Sequence, residues 1–145
     1  MRVAEECVSQ AKHVDDPRVL AYHQATLANA AALDGDRRTA TASLAASQAS
    51  IERVAGTPGD SWASHYSTGR WAHEAGMILV QLGDFPSAQE HLHHALASWC
   101  DFLDCADGIR SVKIRDAVHD MRARLHRLRG TARAEEINER AAAFE

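Results

Sequence analysis

Three glycines, Gly35, Gly83 and Gly130, stand 48 and 47 residues apart, and each separates two long helix-favouring stretches. A leucine lies close before each one (Leu33, Leu82, Leu128), and Ala40 and Leu44 follow Gly35 at the offsets at which Ala88 and Leu92 follow Gly83. After Gly130 the register slips by one, to Ala134, Ile137 and Ala141. Glycine permits a left-handed turn, and alanines on the facing sides let two antiparallel helices approach until their leucines interlock. A pair of this kind buries little alone and needs stacked neighbours, so the spacing predicts a helical array.

The rest of the chain agrees. Alanine-rich composition, only three prolines and few β-branched runs favour helix almost throughout. Breaks at DDP 15–17, DGD 34–36, GTPGDS 56–61, LGD 82–84, CADG 105–108 and RG 129–130 leave seven expected helices: roughly 2–14, 17–33, 37–54, 61–82, 85–104, 109–129 and 131–144. At 145 residues with 46% hydrophobic content, the chain suits one domain with one continuous core. The start, MRVAEECVSQAK, mixes acids with apolar residues, and no apolar run approaches a membrane span, so a cytoplasmic protein without membrane contact is expected. Cys7, Cys100 and Cys105 lack the spacing of a zinc knuckle or redox pair and read as reduced, partly buried thiols.

Residues 69–99 resemble a tetratricopeptide repeat, with Gly76, Gly83, Ala88, Leu92 and Ala95 at its small and large packing positions. The likeness is fair for 20–54 and weak for 115–144; the first-helix tryptophan is displaced to Trp71, the closing proline is missing, and the spacing exceeds the standard unit of about 34 residues. The cadence through SWASHYSTGRWAHEAGMILVQLGD and RSVKIRDAVHDMRARL resembles the tetratricopeptide-type domains of actinobacterial helix-turn-helix transcription regulators. The resemblance implies an all-α fold of antiparallel pairs in a short right-handed superhelix: an orphan helix at 1–16, repeats at 17–55 and 61–106, and a degenerate repeat at 108–145. It also implies either a piece of a larger regulator or a small stand-alone relative.

In such an array the first helix of each pair lines the concave face. The resemblance thereby places Tyr22, Asn29, Arg70, His73, Met77, Asp120 and Arg124 there, with Tyr66 and Lys113 one turn earlier on the same stripes. Tyr66, Arg70, His73 and Met77 would form one continuous stripe suited to a peptide or small organic ligand, unless the stripe is simply a solvated face. Binding would bias the angle between neighbouring pairs and report to an associated module. The competing readings are a small helical enzyme using Tyr66, Arg70, His73 and Asp120, and a scaffold that dimerises through its Phe144 end.

Other features carry less. His91 and His94 have metal-compatible spacing but fall opposite the expected buried face of Leu92, Ala95, Leu96 and Trp99, so neither a metal nor a cofactor is implied. Half of the basic side chains, Arg110, Lys113, Arg115, Arg122, Arg124, Arg127, Arg129 and Arg133, crowd into residues 110–133. They read first as the wet side of an amphipathic helix pairing with the acidic tail of Glu135, Glu136, Glu139 and Glu145. A phosphate site or an acidic peptide held by Lys113 and Arg124 are alternatives, while the lack of interleaved aromatics and the net charge of −4 argue against nucleic acid. No phosphate-cradling loop, HExxH or GxSxG is present. Glu74 is set aside because it neighbours His73 and points elsewhere, and Trp62, Trp71 and Trp99 read as packing residues.

Overall fold

A computed structural model describes residues 1–54, 62–109, 111–128 and 130–144, and of Trp62 only the backbone. Among these the chain is all-helical, with seven α-helices and no strand: α1 (Arg2–Ala11), α2 (Pro17–Leu33), α3 (Arg37–Glu52), α4 (Thr68–Gln81), α5 (Phe85–Ala106), α6 (Val112–Leu125) and α7 (Ala132–Ala142). Two 3₁₀ turns, Trp62–His65 and His126–Leu128, precede α4 and follow α6. The expected GTPGDS break, the packing role of Trp62, and Arg110, Arg129 and Glu145 lie outside the described residues or side chains.

The glycine spacing has a direct structural meaning. At the end of α2, Gly35 takes φ +77°, its N–H donates to Ala32 O, and Asp36 N–H reaches back to Ala31 O. At the end of α4 the same bonds recur: Gly83 at φ +75°, with Gly83 N–H to Val80 O and Asp84 N–H to Leu79 O. This double closure satisfies carbonyls that a helix end leaves orphaned, and its left-handed residue favours glycine. The aspartate after each glycine then caps the next helix, Asp36 accepting from Thr39 N–H and Asp84 from Ser87 N–H. The short turns force α2 against α3 and α4 against α5 as antiparallel neighbours.

Close approach within the second pair rests on missing side chains. A Cβ on Gly76 would lie 2.7 Å from Leu92 Cγ and 3.2 Å from Ala88 O, and one on Gly69 would lie 2.7 Å from Ser98 Cβ. The two pairs are joined through α4, which packs on both α2 and α3. At that junction Trp71 Nε1 donates to Ser47 Oγ at 2.9 Å, and Ser47 Oγ donates to Ala21 O at 2.7 Å, a buried relay across three helices. Arg37 Nη2 covers the carbonyl of Leu82 at the next turn. Helix α1 packs on α2, and α7 packs on both α5 and α6 through Ala134, Ile137 and Ala141.

Several expectations need correcting. The helix expected over 61–82 begins only at Thr68, because Ser67 caps it by accepting from Arg70 N–H. Helix α6 is shorter than 109–129: Val118, Met121 and Leu125 form its buried face, while Ile109 before it and Val112 at its start are exposed. Leu33 is exposed and Leu92 only half-buried, although Leu92 still fills the space left by Gly76.

Replacing Ser47 by alanine leaves the Trp71 N–H buried without an acceptor, and we expect a stability loss of about 1–3 kcal/mol in denaturant titration. Gly76→Ala gains helix propensity but overpacks Leu92 and Ala88, for a net loss of about 1–2 kcal/mol by the same measurement.

Candidate functional site

Seven of the nine residues placed on the concave face by sequence line one cleft of about 470 Å³: Tyr22 and Asn29 from α2, Arg70, His73 and Met77 from α4, and Asp120 and Arg124 from α6. Ala25, Thr26, Glu74, Ile78, Gln81, Ala123 and Arg127 complete it. The other two residues stand apart. Tyr66 is not on the α4 stripe, since it precedes the Ser67 cap, and it is buried beneath the cleft rather than lining it. Its ring meets Tyr22 edge-on, centroids 5.4 Å apart, and the Arg70 guanidinium lies 5.7 Å from its centre. Lys113 lines a neighbouring hollow of about 510 Å³ with Trp99, Phe102 and Met121, and that hollow shares Arg70, Asp120 and Arg124 with the cleft.

The wall between the two spaces is a charged network organised around Glu74, the residue that sequence reasoning set aside. Glu74 Oε2 accepts from the Tyr66 hydroxyl at 2.8 Å, while Oε1 accepts from Arg70 Nε at 3.4 Å and from Arg124 Nη1 at 3.3 Å. Arg124 also grips Asp120 with two nitrogens, at 2.9 and 3.3 Å, and Arg70 Nη1 approaches the same carboxylate at 3.9 Å. A fork of donors on one planar group suits bridging two acids. The one legible signal for Glu74 was its four-residue spacing from Arg70; its distance in sequence from Arg124, 50 residues, hid the rest.

This network sets the titration of its members. Burial, then the charge of and hydrogen bond to Glu74, hold the Tyr66 phenol above its ordinary range. Burial alone would raise Asp120, but the Arg124 hydrogen bond and the charges of Arg124 and Arg70 keep it below the usual carboxylate value. Burial opposes the charge on Arg124, yet its bonds to Asp120 and Glu74 raise its pKa.

His73 is the exception within the site. It is 1% exposed, packs at 5.6 Å on the Trp99 ring, and neither imidazole nitrogen has a hydrogen-bond partner among the described residues. Burial, and then the charges of Arg124 and Arg127, lower its pKa to about 4, so at neutral pH it is an uncharged imidazole with one donor and one acceptor. A general base works best with a pKa near the operating pH, and both His73 and the engaged, buried Tyr66 are moved away from it.

His91 sits edge-on to Trp71 at 5.2 Å, and burial, then His94, lower its pKa. Among the described residues no group of three or more His, Cys, Asp or Glu is placed to hold a metal. The three cysteines are free, Cys100 buried, Cys7 half-buried and Cys105 exposed. The basic stretch divides: Arg122 donates to Asn138 of α7 and Arg133 pairs with Glu136, whereas Arg124 turns inward to Glu74. Arg140 of the tail pairs with Asp104 of α5. No described helix is long and apolar enough to cross a membrane.

Comparison of the chain with protein-family models, curated proteins and solved structures gives no match.

The unfolded chain takes a proton on His73 near pH 6.5, whereas the folded one resists until about pH 4. Stability should therefore be whole above pH 6.5, fall as the pH drops from 6.5 to 4, and gain no further slope from this group below that. A thermal melt series should show this decline, and His73→Phe, which keeps the ring on Trp99, should flatten it across that window.

Proposed function

We propose that this chain is a non-enzymatic recognition module that takes a peptide or small organic ligand in the cleft between α2, α4 and α6. The observation that carries the reading is the meeting of side chains from three helices around a buried imidazole with no hydrogen-bond partner among the described residues. Buried polar groups are almost always hydrogen-bonded, so an unsatisfied one in a cleft wall marks a place where a ligand supplies the missing partner. The recurring glycine–aspartate turns and the small-residue contact between α4 and α5 support a tetratricopeptide-like stacking of the pairs. On that basis we assign the module a regulatory role of the kind found in actinobacterial transcription regulators. A ligand spanning α4 and α6 would favour one arrangement of the charged network, and so of the pairs that carry it, over others.

A second reading has one observation behind it. Ile109 and Val112 are 53% and 62% exposed beside a hollow of about 690 Å³ that also takes in Phe144, the end at which a self-associating scaffold would pair.

Thermal melts against fractionated small molecules and short peptides from cell extract separate the two. A ligand present at about 100 times its Kd adds about 2.7 kcal/mol, which for a chain of this size raises the midpoint by roughly 5–10 °C. We expect such a shift in the native protein and its loss in Asn29→Trp, where an exposed residue becomes a plug for the cleft. A midpoint that ignores every fraction but rises with protein concentration would favour the scaffold.

A further inference from the structure

The charges of the cleft do not balance locally. Arg70 and Arg124 are committed to Glu74 and Asp120. Arg127, in the 3₁₀ turn after α6, also lines the cleft, is exposed, and has no carboxylate partner among the described residues. Its charge is nonetheless felt at His73. Among the described residues of the cleft, three guanidiniums therefore stand against two carboxylates, both of the latter already bonded. A cationic ligand would meet repulsion with no free acid to receive it.

On the reading of the cleft as a ligand site, we infer that the occupant is a small organic monocarboxylate, its oxyanion docked between Arg127 and the orphaned imidazole N–H of His73, its apolar body against Tyr22, Met77 and Ile78. The imidazole donor and the guanidinium make a charge-assisted pair for one carboxylate group. One spare positive charge matches one negative charge, and a phosphate dianion would leave an excess. Tyr22 of α2 and Met77 and Ile78 of α4 supply the phenol ring, thioether and alkyl side chain that suit an aryl or alkyl body.

Binding of this kind is tied to proton uptake. The charged groups that act on His73 are Arg70 on its own helix, Asp120 and Arg124 on α6 and Arg127 in the turn beyond; Glu74, its neighbour on α4, is bonded to Arg70 and Arg124. Trp99 of α5 packs on the ring, and α2 lines the cleft with the uncharged side chains of Tyr22, Ala25, Thr26 and Asn29. The arginines outweigh Asp120 and disfavour the imidazolium. A bound carboxylate offsets that field and makes protonation easier.

The test follows the His73 ring resonances by NMR during titration with 3-phenylpropionate, its primary amide and phenethyl phosphate. The acid should perturb His73 saturably, move its titration midpoint upward from about 4, and bind about tenfold tighter than the amide. Arg127→Gln should weaken the acid by about tenfold while leaving the thermal midpoint unchanged, since Arg127 is exposed and has no ion pair among the described residues. Equal binding of acid and amide, or indifference to Arg127→Gln, overturns the carboxylate assignment and leaves the cleft a binding site. Tighter binding of the phosphate overturns the single-charge match. Silence of His73 toward all three overturns the assignment, and only when the extract fractions also leave the melt unmoved does the binding reading fall with it.

Discussion

The hydroxyl of Ser47 is the buried tie between the first helical pair and the second, beside the Arg37 bond to the Leu82 carbonyl at the next turn. It accepts from the indole of Trp71 and donates to the backbone of α2, so one buried oxygen is bonded to two helices from a third. Apolar contacts between helices tolerate sliding, because one alkyl surface is much like another. A buried donor with one acceptor in reach does not, since a slip leaves a polar group unpaired at a cost no packing contact recovers. The register of α4 on the first pair, and with it the position of every α4 residue in the cleft, descends from this relay. Ser50, one turn on, donates to Gln24 at 2.8 Å and repeats the tie between α3 and α2.

From that fixed register the cleft gains its contrast between walls. The α2 and α4 sides meet through alanines, ring edges and the relay. Helix α6 approaches α4 instead through Arg124, Asp120, Arg70 and Glu74, all partly open to water. Ion pairs at this exposure are worth little each and are weakened by salt, so their joint geometry matters more than their energy. They orient guanidiniums and screen the imidazole behind them.

The sequence made the local grammar legible and left the tertiary chemistry hidden. Glycine followed by aspartate announced both turn and cap, because each residue's role is settled within a few bonds of itself. The facing alanines and Leu92 followed from helical spacing. Seven of the proposed face residues do share one cleft, since their positions relative to the turns fix which way they point. Tyr66 was misplaced because the cap one residue later, at Ser67, was not recognised; with helix assumed from 61, it became a stripe residue instead of a buried support. Glu74 was missed for a different reason. Its partners come from α4, the segment before it and α6, and no spacing rule reaches across 50 residues. Ser47 looked like one more small residue in an alanine-rich helix, and only the arrival of Trp71 gives its hydroxyl a purpose.

The missing β-carbons of Gly69 and Gly76 have a mechanical meaning as well. Two positions seven residues apart, both on the α5 side of α4, leave no slack there, so these helices behave as one stiff slab. Stiffness on that side concentrates compliance on the other, where α6 leans on α4 through long polar arms. Strain introduced at the cleft would fall on that α6 side, while α7 stays anchored to the slab through its packing on α5 and the Arg140–Asp104 pair.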